Sequence, residues 1–163
     1  MKAVVVYESL WGNTATIARA IAEGIGPDAI ALSTGEATGD ALAGADLIVA
    51  GAPLLGFNLP TEEMRKSIAD NPTMPDADVA HPSMRSWLEG LPKGSGCGAG
   101  FETRIWWSPG SAAKKIAAGL EGAGYSAAAK PEKFLVTGRY GPLKDGEVER
   151  ARQWGARLAQ DIS

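Results

Sequence analysis

Cysteine and histidine are nearly missing from this chain: one of each stands in 163 residues. Neither a zinc site nor an iron–sulfur cluster can be built from that supply in one chain, because both draw their ligands from several Cys or His side chains. Positive charge is also short. The net charge is -3 and the pI ≈ 5.2, with no Lys/Arg-rich segment, which argues against nucleic acid as a partner. No apolar run reaches membrane-spanning length, and no cleavage pattern of a signal peptide precedes the first strand, so a cytoplasmic protein is expected. Two phosphate motifs are missing as well. There is no Gly-Lys-Ser/Thr, so a nucleoside triphosphate loop is excluded, and no G-x-G-x-x-G dinucleotide fingerprint.

What is present begins at once. Val4-Val5-Val6-Tyr7 is a β-branched apolar run with the look of a strand buried on both faces. Ile17, Ala18, Ile21 and Ile25 then recur at helical spacing. Between them Ser9 to Thr14 forms a short turn of hydroxyls and amides around one glycine. A strand turning sharply into a helix aims unpaired N–H groups at one point, and the helix dipole adds positive potential there. No Lys or Arg lies between Glu8 and Ile17. A phosphate at this turn would meet neutral donors: the Ser9 and Thr14 hydroxyls, the Asn13 amide and main-chain N–H groups. That suits one terminal phosphomonoester. The plainer reading is a tight turn in which Thr14 or Asn13 only caps the helix.

The motif Tyr7-x-Ser9-x-x-Gly12-Asn13-Thr14-x-x-x-Ala18 resembles the phosphate loop of flavodoxins, which cradles the phosphate of FMN. The resemblance implies the flavodoxin-like α/β fold, three layers deep, with a doubly wound five-stranded parallel sheet of order 2-1-3-4-5 in a single domain over residues 1–163. The order of elements agrees. Short strands are expected at Ala29–Leu32, Asp46–Pro53, Lys93–Thr103 and Phe134–Gly138, with helices between them and a last helix from Gly146 to Ile162. In the fourth strand Gly94, Gly96, Gly98 and Gly100 alternate with other residues, leaving one face without side chains; a flexible loop is the alternative, but the βαβ rhythm needs a strand here. Cys97 is then a small buried residue. Asn71 to Pro82, with three prolines, is an irregular excursion that departs from a minimal flavodoxin and could serve as lid or partner surface. The absence of a long insertion after the fifth strand looks like the short-chain form.

In such sheets ligands bind where the strand order reverses, at the carboxyl ends of the strands. Three loops are expected to meet there. The first supplies Ser9, Leu10, Trp11, Gly12, Asn13 and Thr14. The second is the apolar run from Pro53, Leu54, Leu55, Gly56 and Phe57 to Leu59. The third is expected over Glu102 to Ser108, with Thr103, Arg104, Ile105, Trp106 and Trp107. A cradle facing apolar and aromatic loops matches a ligand with a phosphate at one end and a flat ring at the other, and FMN has that anatomy.

Several of these residues have an ordinary alternative. Phe57 is either core or ring contact, and Arg104 either a solvated charge or a site residue. The tryptophan pair is core, a partner-facing patch or a stacking surface. Glu8, Glu62, Glu63 and Glu102 are expected near the rim, where negative charge would suit an electron carrier, whereas Arg104 would favour reduced flavin. The resemblance therefore implies an FMN-dependent flavoprotein, an electron-transfer protein serving redox partners. The alternatives are an oxidoreductase of the same fold acting on a small substrate such as a quinone or porphyrinogen, and a regulatory domain without cofactor. No catalytic acid or base is identified. Ser9→Asp would set a carboxylate against the phosphate: it should weaken FMN binding severely and riboflavin binding barely, as read by flavin titration, and equal losses would place the phosphate elsewhere.

Overall fold

Residues 1–162 are described in this computed structural model. β1 (Ala3–Tyr7) is buried from Ala3 to Val6, and its side chains divide between two cores. Val4 and Val6 join Ile48, Ala50 and Ala52 of β3 (Leu47–Pro53) under α4 (Met84–Glu89) and α5 (Ala113–Gly122). Ala3 and Val5 join Leu47 and Val49 under α1 (Asn13–Ile25) and α6 (Glu147–Ile162). Period-two alternation along strands apolar on both faces thus produces a sheet between two helical layers.

The sheet runs β2 (Ile30–Ser33), β1, β3, β4 (Cys97–Ile105), with every pairing parallel. The position beyond β4 is filled twice. β5 (Ser126–Ala127) pairs with Cys97 and Gly98, and β6 (Glu132–Val136) pairs with Phe101 to Ile105. The single fifth strand expected at Phe134–Gly138 is therefore two collinear pieces, with Pro131, which has no N–H to offer, standing at the interruption. Two short helices complete the described chain: α2 (Gly39–Leu42) and α3 (Glu62–Ala69), the latter capped by the hydroxyl of Thr61, an N-cap residue type set just before Glu62-Glu63-Met64 in the sequence.

The glycine-alternating segment is a strand from Cys97 onward, and the side-chain-free face has a use. A Cβ on Gly100 would lie 2.6 Å from the Ala113 carbonyl oxygen and 3.1 Å from the Ala117 nitrogen, so the backbone of α5 rests directly on β4. On the other face Ala99 and Phe101 fill the core under α1 and α6. Cys97 is half-buried rather than buried.

Glu8, expected at the rim, is turned inward and fully buried. Its Oε1 accepts the Met84 N–H at 2.9 Å, at the start of α4, and its Oε2 lies 3.2 Å from Arg65 Nε on α3. Burial pushes the Glu8 carboxyl up to about 7, while the Met84 N–H and the Arg65 charge pull it down. Arg65 also donates to the His81 carbonyl, and the Thr34 hydroxyl to that of Pro82 at 2.6 Å. One buried pair thus fastens β1, α3, α4 and the end of the proline-rich excursion.

Gly100→Ala should destabilise the fold by roughly 1–3 kcal/mol in urea unfolding, because the opposing atoms are backbone. Gly98→Ala, whose Cβ would meet Leu120 and Tyr125 side chains at 3.2 Å, should cost less. The raised Glu8 carboxyl holds its proton to higher pH folded than unfolded, so its protonation favours the folded state. That contribution is complete below about 4.5 and is lost as pH rises through about 7. Between pH 5 and 8 the wild type should lose stability relative to Glu8→Gln; equal slopes for the two proteins would show that Glu8 does not titrate there.

Candidate functional site

β1 and β3 are neighbours, yet the chain leaves them toward opposite faces. α1 lies in the layer with α6, and α4 in the layer with α5. The carboxyl ends of β1 and β3 therefore flank a crevice, and β4 delivers its own end beside β3.

The turn after β1 is shaped by Ser9. Its Oγ, almost fully buried, accepts the Gly12 N–H at 3.1 Å and the Ala15 N–H at 3.2 Å. Gly12 has φ 95, a left-handed conformation that favours glycine, although a Cβ there would meet nothing within 4 Å. Ala15 is the third residue of α1, so Ser9 caps the helix from across the turn. Asn13 and Thr14 are thereby released from the capping role. The Asn13 side-chain amide donates to the Tyr140 carbonyl at 3.1 Å, and the Thr14 and Thr103 hydroxyls share a bond of 2.8 Å. Among the described residues no bond takes up the N–H groups of Trp11, Asn13 or Thr14. They converge at the N-terminus of a 13-residue helix, a donor set suited to an anion.

One cleft collects most of the expected residues. Leu10, Trp11, Asn13 and Thr14 line it from the first loop, Pro53 to Gly56 from the second, and Thr103, Arg104, Ile105 and Trp107 from the third. Ser9, Gly12, Phe57 and Trp106 do not line it; Ser9 is buried and Gly12 exposed. The cleft encloses ≈ 150 Å³. A second, more apolar cleft of ≈ 450 Å³ adjoins it, sharing Trp11, Leu55, Gly56 and Arg139 and bounded by Met64, Ile68 and Met74. Phe57, Trp106 and Trp107 are 63%, 74% and 65% exposed, so none of the three is core.

The third loop begins later than its sequence suggests. Glu102 to Ile105 belong to β4, because that strand is paired with β3 as far as Thr103 and with β6 as far as Ile105. Glu102 is consequently no rim charge. It is buried; its Oε1 accepts from the Ser111 hydroxyl at 3.0 Å and from the Ala112 and Ala113 N–H groups at 3.1 and 3.0 Å, at the start of α5. Arg104 Nη1 donates to Glu102 Oε2 at 3.0 Å and to the Gly110 carbonyl at 2.9 Å, and its side chain is mostly buried. Ser111 N–H also donates to the Phe57 carbonyl at 3.2 Å, joining the second and third loops.

Residues 71–82 run beside the first loop. The Asp78 N–H donates to the Leu10 carbonyl at 2.8 Å, and the Trp11 indole donates to the Pro75 carbonyl at 3.3 Å. Ser108, the end of the expected third loop, also lines the cleft, and Val136 and Arg139 line it without having been singled out in the sequence. The signal for Arg139 was topological: it follows β6, whose carboxyl end reaches the same edge of the sheet.

No protein-family model matches the chain, and no curated protein matches it either. Solved structures do. A flavodoxin from the domain Archaea superposes with a TM-score of 0.69 at 24% identity, over 99% of both chains. Flavodoxin 1 from Bacillus cereus gives 0.69 at 19% identity over 100% of both. The rubredoxin oxygen:oxidoreductase of Desulfovibrio gigas gives 0.65 at 19%, over 99% of this chain and 36% of that one. Layers, strand order and full-length superposition agree: the chain has the flavodoxin-like α/β fold.

Proposed function

We propose that this chain binds FMN non-covalently in the cleft between its three loops and passes electrons to and from redox partners. One observation carries the reading: unpaired N–H groups and the Thr14 hydroxyl at a helix N-terminus, with the Thr103 hydroxyl of β4 beside them, share a cleft with an apolar, aromatic wall. The donor set fits the phosphate end, where Thr14 and the amides of Trp11, Asn13 and Thr14 would hold the phosphomonoester. The apolar run Pro53 to Gly56 and the Trp107 side would take the ring. The flavodoxins among the structural neighbours support the same ligand.

When bound, the flavin supplies the electron chemistry. The chain's own contribution is charge and access. The residues lining the cleft include no carboxylate, and of its two arginines Arg104 is paired with Glu102 while Arg139 is not, so the unpaired charge of this site is positive and favours negative charge on its ligand. Exposed Phe57, Trp106 and Trp107 offer an apolar contact surface at the mouth. Among the described residues no helix is long and apolar enough to cross a membrane.

A second reading, an oxidoreductase acting on a small substrate such as a quinone or porphyrinogen, draws on the adjoining apolar cleft. The purified protein should show a flavin absorption spectrum and release FMN on denaturation. A colourless chain that takes up no added FMN would overturn the proposal. Reoxidation of the reduced protein by a soluble quinone faster than by a redox protein would favour the second reading.

A further inference from the structure

The first loop has no cation of its own, yet the fold brings one to it. Arg139 stands on the connection between β6 and α6, which turns back on itself: the Gly141 N–H donates to the Gly138 carbonyl at 3.0 Å, and the Thr137 N–H to that of Pro142 at 2.9 Å. This connection is fastened to the first loop from two sides. The Asn13 side chain holds the Tyr140 carbonyl, and the Trp11 ring meets the Tyr140 ring edge-on at 4.8 Å. Arg139 lines the cleft together with Asn13 and Thr14.

Its charge is unspent. Among the described residues Arg139 has no hydrogen bond or ion pair, whereas Arg104, the other cation of the cleft, is held by Glu102 and Gly110. Glu63 lines the second cleft with Arg139 but forms no ion pair with it. A free guanidinium beside unpaired N–H groups completes a site for a dianion, since its planar donors match phosphate oxygens two at a time.

We propose that Arg139 is the residue that selects a phosphorylated ligand over the same ligand without its phosphate. The neutral donors of the first loop fix where the phosphate sits, and Arg139 supplies the charge that makes binding depend on it. The identity of the ligand as a flavin rests on the function proposed above; the charge complementarity rests on Arg139 and its loop.

The test uses the full chain stripped of flavin and titrated with FMN and with riboflavin at low and high salt, as wild type, Arg139→Gln and Arg139→Lys. Arg139→Gln should weaken FMN about tenfold or more at low salt, leave riboflavin within about twofold, and flatten the salt dependence. Arg139→Lys, which keeps the charge, should recover part of the loss. FMN affinity unchanged in Arg139→Gln, or FMN and riboflavin weakened alike, would overturn the assignment. A wild type that binds neither flavin would overturn the proposed function instead. Inorganic phosphate then tests the cation separately: it should raise the Tm of the wild type and not of Arg139→Gln, and equal effects on both would overturn the role of Arg139. Because Arg139 is exposed and unpaired, the variants should keep the wild-type Tm without ligand.

Discussion

A single buried hydroxyl decides the shape of the turn on which the site is built. Ser9 Oγ accepts two N–H groups, one from Gly12 inside the turn and one from Ala15 inside α1. Both bonds leave the hydroxyl proton free and draw the chain tight enough to require a left-handed Gly12. Because the cap comes from Ser9, the side chains of Asn13 and Thr14 are left to bond Tyr140 and Thr103 on other elements. The first loop therefore binds its neighbours and presents its amides at the same time.

Two buried carboxyl side chains repeat one device at the ends of the two strands that flank β3. Glu8 follows β1 and meets the first N–H of α4; Glu102, near the end of β4, takes two N–H groups at the start of α5. Each also has an arginine against it, Arg65 or Arg104. A carboxylate at a helix N-terminus is favoured by the dipole and by the unpaired amides, and a buried one is tolerated only when its oxygens are engaged. Both side chains are thereby engaged in holding two helices of one layer to the sheet.

The parts of the fold written as local pattern were readable from the sequence. The apolar β1 run, the helical spacing of Ile17 and Ile21 and the Thr61 cap each carry their signal within a few residues. The alternating glycines left strand and loop both open; the βαβ rhythm pointed to a strand, and the strand begins at Cys97 with α5 packed closely on its bare face. What could not be read was set by partners far along the chain. The length of β4 follows from ladders to β3 and β6, which no side-chain pattern at Glu102 to Ile105 announces. The division of β5 from β6 follows from register, with Pro131 the one local hint. Arg139 sits in a loop of ordinary composition, and the bond that ties its neighbour Tyr140 to Asn13 spans 127 positions. Charges were the hardest to place. Glu8 and Glu102 read as surface residues, because sequence records their polarity and not the amides and arginines waiting inside.

Ser111 belongs to three parts of the molecule at once. Its N–H holds the loop after β3 at Phe57, its hydroxyl holds Glu102 in β4, and that same hydroxyl accepts the Lys114 N–H in α5. The two walls of the slot are for this reason mechanically one jaw. Displacing the Phe57 side pulls on the first turn of α5, and loosening α5 releases the Phe57 side. Trp106 and Trp107, exposed between the end of β4 and Ser111, lie on the stretch of chain that this residue closes.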